Sequence, residues 1–221
     1  MPHDLTVIYY TSNREDERFE TKIRAHLLQT IGDTPLISVS QRPIAFGKNI
    51  CVGDVGRSGH NVFRQYQIGV QEAETPYVCP AESDCLYPSA FFGLRPTVLD
   101  HLAVALPVHL VFMAGRGMGK FWPKRHCEAA VVAARDACLK KLDVLLNGTP
   151  LWRDGVEKGP ELGDPHPDLF GLYQREYYML PQSVLSFRTA NQMHRKTPFR
   201  DDWVAELPGW GTPADVRALV A

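Results

Sequence analysis

Over the first ninety residues the apolar positions alternate between a continuous, strand-like run and a helical spacing. Residues 5–10 (LTVIYY) are apolar, β-branched or aromatic and end in the polar turn Thr11-Ser12-Asn13, the pattern of a buried strand. Between residues 15 and 31, Phe19, Ile23 and Leu27 recur every four positions with charges between them. That spacing predicts a helix with one face on a core, stopped by Gly32-Asp33. Residues 35–40 (PLISVS) predict a second strand, and a Gly-containing polar stretch covers 41–59. Val62, Tyr66, Gly69 and Ala73 then share one face of a second helix, ended by Thr75-Pro76. Residues 77–81 (YVCPA) predict a third strand, with Pro80 awkward near its end, and the acidic triplet Glu82-Ser83-Asp84 follows at once.

Strand, helix, strand, helix, strand implies right-handed crossovers. The expected class is α/β, a mostly parallel central sheet flanked by helices. Its ligand crevice belongs beyond the carboxyl ends of the strands, where residues 11–13, 40–42 and 82–84 all fall. The second half is less regular. It offers an apolar stretch at 108–113, a Gly-rich basic loop at 115–120, a helix predicted over 128–146, and a polar, Pro- and Gly-rich segment at 147–167. A strand at 183–187 and a short last helix follow, the helix with Thr212 as N-cap and Pro213 at its first position. Val131, Arg135, Cys138, Leu142 and Leu145 mark one side of the predicted long helix. The chain of 221 residues is expected to be one domain.

Charge narrows the partners. Lys and Arg number 24 against 25 Asp and Glu, a net charge of −1, so no general attraction to nucleic acid or to membrane surfaces exists and any such binding is local. Five cysteines without a C-x-x-C pair fit reduced thiols better than a disulfide framework or a zinc site. No leader or membrane-spanning stretch is visible, since the apolar run at 101–115 is broken by Pro107 and His109; a cytoplasmic protein is expected.

A carboxylate at a strand end can hold a divalent metal that neutralises a nucleotide diphosphate, although carboxylates after strands are also common solvated turn residues. Gly69, Ala73, Tyr77, Glu82, Asp84 and Pro88, within the segment from Arg64 through IGVQEAETPYVCPAESDCLYP, have the spacing of the helix, strand and D-x-D turn of family 2-like GT-A glycosyltransferases, which this chain resembles over residues 5–90. It departs from them in carrying Glu at the first acidic position, Cys85 after the motif, and a displaced Arg64 in place of an Arg-Asn pair.

The resemblance implies a metal-dependent glycosyltransferase taking a nucleotide-sugar, with a UDP-sugar favoured and Mn2+ or Mg2+ as the cation, residues 1–100 forming the nucleotide-sugar-binding half and 101–221 the acceptor-binding half. Donor-binding residues would be Thr11, Ser12, Asn13, Ser40, Gln41, Arg42, Arg64, Glu82 and Ser83, with Asp84 on the metal and His194 completing the site. Glu128, at the start of the predicted helix, would be the base of an inverting transfer, although an acidic first turn is also favoured by the helix dipole alone. Asp136 is the weaker candidate. Thr11 and Ser40 can equally be turn caps. Two basic stretches, RGMGKFWPKRH at 116–126 and RTANQMHRKTPFR at 188–200, interleave aromatics. Lys120, Trp122, Lys124, Arg125, Arg195 and Lys196 are therefore candidates for an acceptor that carries phosphate. The chain also resembles compact bacteriophage glycosyltransferases that decorate hydroxymethylated bases in DNA. The competing classes are a nucleotidyltransferase, whose Gly-rich loop after the first strand TSNRED lacks, and a non-catalytic nucleotide-sugar-binding protein.

Overall fold

The computed structural model describes residues 4–115, 117–125, 127–153, 169–191 and 202–221. Strand β1, Leu5–Thr11, is buried along its whole length. Val7 and Tyr9 point to one face, while Ile8 and Tyr10 point to the other. Burial on both faces explains why this strand reads as a continuous apolar run rather than an alternation. Helix α1, Glu17–Ile31, packs Leu27 and Ile31 on the first face. Its N-cap is Asp16, whose carboxylate accepts from the Arg18 and Phe19 N–H groups. Helix α2, Gly59–Glu72, packs Phe63, Tyr66 and Val70 on the second face. Gly69 is needed for that approach, because a Cβ there would lie 2.3 Å from Ile8 Cγ2.

Strands β2 (Leu36–Ser40), β3 (Lys48–Cys51) and β4 (Tyr77–Glu82) join β1 in parallel, in the order β3-β2-β1-β4. The sheet continues through β8, β6, β9 and β5, and here the pairing is mixed. Strand β5 (Cys85–Leu86) follows the acidic triplet, and β6 (His101–Phe112) is the long strand of this half. A hairpin partner, β7 (Phe121–Lys124), lies on β6. Strand β8 (Val131–Ala134) is antiparallel to both β4 and β6, whereas β9 (Gln174–Arg188) is parallel to β6 and antiparallel to β5. The architecture is the expected sheet flanked by helices, with the parallel order confined to the first half and one further parallel pair.

Three expectations for the second half change. The helix expected over 128–146 is α3, Arg135–Leu146. Residues 131–134 form a strand instead, because their pairing with Tyr77, Val78 and residues 102–104 buries all four of them. The strand expected at 183–187 starts nine residues earlier, and the apolar stretch at 108–113 is the latter part of β6. The Pro- and Gly-rich segment lies largely outside the described residues. The last helix, α4 (Pro213–Val220), forms as expected, with a capping box between Thr212 and Asp215. It seats Val216 and Val220 against Phe19, Ile23, Phe187 and Trp210.

Candidate functional site

The carboxyl ends of β1, β2 and β4 open on a cavity of about 210 Å3. Thr11 comes to it from the end of β1, Ser12 and Glu15 from the loop that follows, Gln41 from just beyond β2, and Glu82, Ser83 and Asp84 from the end of β4 and the turn after it. Gly56, Arg57, Ser58 and Gly59 bring the N-terminus of α2 to the same space. The positive end of the helix dipole favours an anion there. The walls are fixed by buried amides. Gln65 Nε2 donates to the carbonyls of Thr11 and Val39, each at 3.0 Å, tying the ends of β1 and β2 together. Asn61 Nδ2 donates to Val55 O at 2.6 Å and to Arg153 O at 3.0 Å.

The second half closes the other side. Phe187 N–H donates to Asp84 O at 2.8 Å, and β5 pairs Cys85 with Ser186. The acidic turn is thereby bound to β9, whose end carries Ser186 and Arg188 into the cavity wall. Lys124 ends β7, and Cys127 and Glu128 follow in the turn before β8; all three line the cavity. Lys124 Nζ lies 3.2 Å from Cys127 Sγ. Glu82 Oε1 accepts the Tyr10 hydroxyl at 3.2 Å, and Glu82 N–H donates to the Tyr87 hydroxyl at 3.0 Å. The Cys85 thiol faces both Glu82 Oε2 at 3.6 Å and Asp84 Oδ1 at 3.5 Å.

Such crowding of acidic groups away from water shifts their protonation. Burial, then the neighbouring Cys127 and Asp84, push Glu82 up to about 8. Burial, only partly offset by Lys124, pushes Asp84 up to about 6. Lys124 is held well above the usual lysine range: burial pulls it down, but Cys127, Glu82 and Cys85 outweigh that pull. The Cys127 thiol is lowered, chiefly by its hydrogen bond from Cys85 and also by Lys124.

A search of solved structures places this architecture. Residues 1–349 of S. aureus TarS in complex with UDP-GlcNAc superpose with a TM-score of 0.50 at 12% identity, over 86% of this chain and 60% of that one. The fold is of the GT-A type. Matches below that score include the glycosyltransferase GlyE of Streptococcus pneumoniae TIGR4, with a TM-score of 0.45 at 14% identity over 80% of this chain and 45% of that one. Another is the bifunctional IspDF of Campylobacter jejuni, with a TM-score of 0.44 at 9% identity over 80% of this chain and 49% of that one. The chain thus spans 60% or less of the length of each. No family model and no curated protein matches the sequence.

Of the residues singled out in the sequence, Thr11, Ser12, Gln41, Glu82, Ser83, Asp84, Lys124 and Glu128 meet at this GT-A cavity. Glu128 arrives by a route other than the expected one. It sits in a turn ahead of β8, not in the first turn of a helix, and Asp136 takes the helical position with its side chain 82% exposed. Thr11 and Ser40 act as turn caps. Asn13 N–H donates to Thr11 Oγ1 at 2.8 Å, and Ser40 Oγ donates to Arg42 O at 2.6 Å. Asn13, in the left-handed region at φ 53°, receives the N–H groups of Gln41 and Arg42 on its side-chain oxygen at 2.9 and 2.8 Å. It therefore joins two loops, and its side chain lies with Arg42 in an adjoining open groove.

Arg64 does not line the cavity: its guanidinium donates to Gln67 Oε1 at 2.7 Å and to Thr149 Oγ1 at 3.4 Å. The basic loop also differs from expectation. Trp122 is buried with its indole N–H donating to Gly117 O at 3.3 Å, and Lys120 stacks over Trp203 at 3.5 Å. Phe121 and Trp122 are packed rather than presented for stacking, Lys124 faces the cavity, and Arg125 is exposed. His194, Arg195 and Lys196 lie outside the described residues. No helix among the described residues is long and apolar enough to cross a membrane.

Four charged or thiol-bearing residues of the cavity were not among the candidates: Glu15, Arg57, Cys127 and Arg188. Arg57 had a legible signal, a cation between Gly56 and the N-cap Ser58 of an amphipathic helix. Arg188 opens the second basic stretch, and its buried Nε has no hydrogen-bond partner among the described residues. Glu15 accepts from Thr189 Oγ1 at 2.8 Å, and Arg57 Nη1 donates to Asn191 O at 2.8 Å, so the loop after β9 forms the cavity rim.

Proposed function

We propose that this chain is a metal-dependent glycosyltransferase that moves a sugar from a UDP-sugar to a hydroxyl acceptor with inversion. The observation that supports this most is the meeting of Arg57, Lys124, Arg188 and the N-terminus of α2 with Asp84 and Glu128 in one cavity at the carboxyl ends of β1, β2 and β4. Arginines and a helix N-terminus suit a diphosphate, and the Glu128 carboxylate in the same cavity suits a base.

The donor set fits a divalent cation, Mn2+ or Mg2+. Two crowded carboxyl groups, Glu82 and Asp84, are both held above the usual carboxylate range, and a cation relieves that crowding. Asp84 would hold it, and when bound it neutralises charge on the departing diphosphate. Glu82 and Ser83 would lie toward the ribose. Gln41, Ser12 and Thr11 frame the nucleoside side. Glu128 takes the proton from the acceptor hydroxyl, whose oxygen attacks the anomeric carbon on the face opposite the leaving UDP. Arg57, Arg188 and Lys124 receive the diphosphate.

The test is UDP release from a panel of UDP-sugars in Mn2+ or Mg2+, with hydroxyl acceptors that include hydroxymethylpyrimidine DNA. Release from at least one donor, rising with one acceptor class, is expected. Diphosphate release from a nucleoside triphosphate would instead establish a nucleotidyltransferase. UDP binding with no turnover of any sugar would establish a binding protein. No mass increase of the DNA nucleoside with any donor removes the DNA acceptor alone.

A further inference from the structure

The floor of the cavity carries a second set of donors, and its two thiols have no part in the transfer reaction. Cys85 begins β5, Cys127 lies in the turn between β7 and β8, and Glu82 ends β4. One Glu82 carboxylate oxygen and the two sulfurs all lie within 4.8 Å of one another. Glu82 and Cys85 flank one tight turn, and the tertiary fold brings Cys127 to them from 42 residues beyond Cys85.

Its surroundings are organised as those of a metal site are. Tyr10 O–H is donated to Glu82 Oε1 at 3.2 Å, which leaves Oε2 on the side of Cys85 Sγ at 3.6 Å. An outer hydrogen bond that orients a ligating carboxylate is a regular part of such sites. Lys124 Nζ, 3.2 Å from Cys127 Sγ, supplies a positive charge. Two thiolates and a carboxylate around a dication leave one net negative charge, and Lys124 cancels it. Charge balance matters here, since both sulfurs are buried.

We infer that Glu82, Cys85 and Cys127 form a binding site for a thiophilic dication of the zinc class, distinct in chemistry from the oxygen-rich position at Asp84. Thiolate ligands select zinc over manganese and magnesium, which take oxygen. Three protein ligands leave a fourth position open to the cavity, the arrangement of zinc sites that keep an exchangeable ligand. Bound zinc would tie the end of β4 to β5 and to the 127–130 turn, and so would stiffen the cavity floor without nucleotide. The inference does not depend on the proposed transfer activity.

Its test is Co2+ and Zn2+ binding to the full chain, metal-free, reduced and without nucleotide. Cobalt should bind with one-to-one stoichiometry and show the near-ultraviolet thiolate-to-metal charge-transfer band at the intensity of two sulfurs. Zinc should displace it, and excess Mn2+ should not. Cys85→Ser and Cys127→Ser should each weaken zinc binding by at least about 100-fold, and Tyr10→Phe by about 10-fold, the range for loss of an outer partner. Cys51→Ser should leave it unchanged. Absence of the charge-transfer band, or zinc affinity unaltered in the Cys85→Ser/Cys127→Ser double variant, would overturn the site. The cobalt spectrum of the unaltered chain counts sulfur ligands by itself, so a serine variant that failed to fold would not obscure the answer. UDP and Mn2+ binding measured separately reports on the transferase reading alone.

Discussion

Two glutamates on the same sheet show opposite solutions to placing a carboxylate. Glu176, on β9, accepts from Thr97 N–H at 2.8 Å, Val98 N–H at 3.1 Å and the Tyr178 hydroxyl at 2.8 Å, with His101 Nδ1 at 2.9 Å. Those donors, the Thr97 N–H first, hold it down at about 2. Glu82, on β4, has the Tyr10 hydroxyl on one oxygen, while burial and the neighbouring Cys127 and Asp84 drive it the other way. The first corner is complete as it stands and reinforces the link between the 93–101 segment and β9. The second is crowded by burial and by its neighbours, the kind of perturbed group that clusters at functional sites. A fully satisfied carboxylate is structural; a crowded one in a cavity is available for chemistry.

That contrast makes separable predictions. The largest effect belongs to the cavity. Glu128→Gln is expected to lower kcat of sugar transfer by about 10^2 to 10^4, the usual contribution of a positioned base, with the melting temperature nearly unchanged. A drop below tenfold would move the base elsewhere. Arg188→Ala should weaken UDP binding by about tenfold, the loss of one charge-assisted hydrogen bond, and leave uridine binding unchanged in calorimetry.

The two glutamates themselves should respond to pH with opposite signs. Glu82 has a native value near 8 against a reference of 4.5, so the native state holds its proton more tightly than the unfolded chain does. Its cost is absent below pH 4.5 and grows as pH rises toward 8. Thermal melts should therefore show Glu82→Gln gaining stability over the parent progressively across that window. Glu176 has a native value near 2 against the same 4.5. Its contribution is present above pH 4.5 and disappears as pH falls toward 2. The smallest effect is thus Glu176→Gln, destabilised at neutral pH, converging on the parent near pH 2, and unaltered in UDP affinity.

The first half of the fold was legible in the sequence because its strands are parallel and buried on both faces. A run such as LTVIYY has few other uses, and Phe19, Ile23 and Leu27 keep one helical face. Gly69 was read as part of a spacing, and its physical reason is the contact of α2 with Ile8. The second half misled where propensity and pairing disagree. EAAVVAARDACL contains no breaker, and alanine favours helix, yet residues 131–134 are drawn into the gap between β4 and β6. Residues 174–182 alternate in burial at the sheet margin and carry enough polar side chains to pass for loop.

The acidic triplet was legible because it follows a strand at once. The cluster around it was not, because Lys124, Cys127 and Arg188 reach it only through the β6–β7 hairpin and the β5–β9 pairing. No local period reports contacts over such separations.

The central claim is that Asp84 holds a dication against a nucleotide diphosphate in this cavity. Calorimetric titration of UDP with and without Mn2+, on the parent chain and on Asp84→Ala, tests it most directly. The account predicts metal-dependent UDP binding in the parent and its loss in the variant, with the fold intact by circular dichroism. UDP binding of equal strength in both proteins, with the same response to Mn2+, would contradict it.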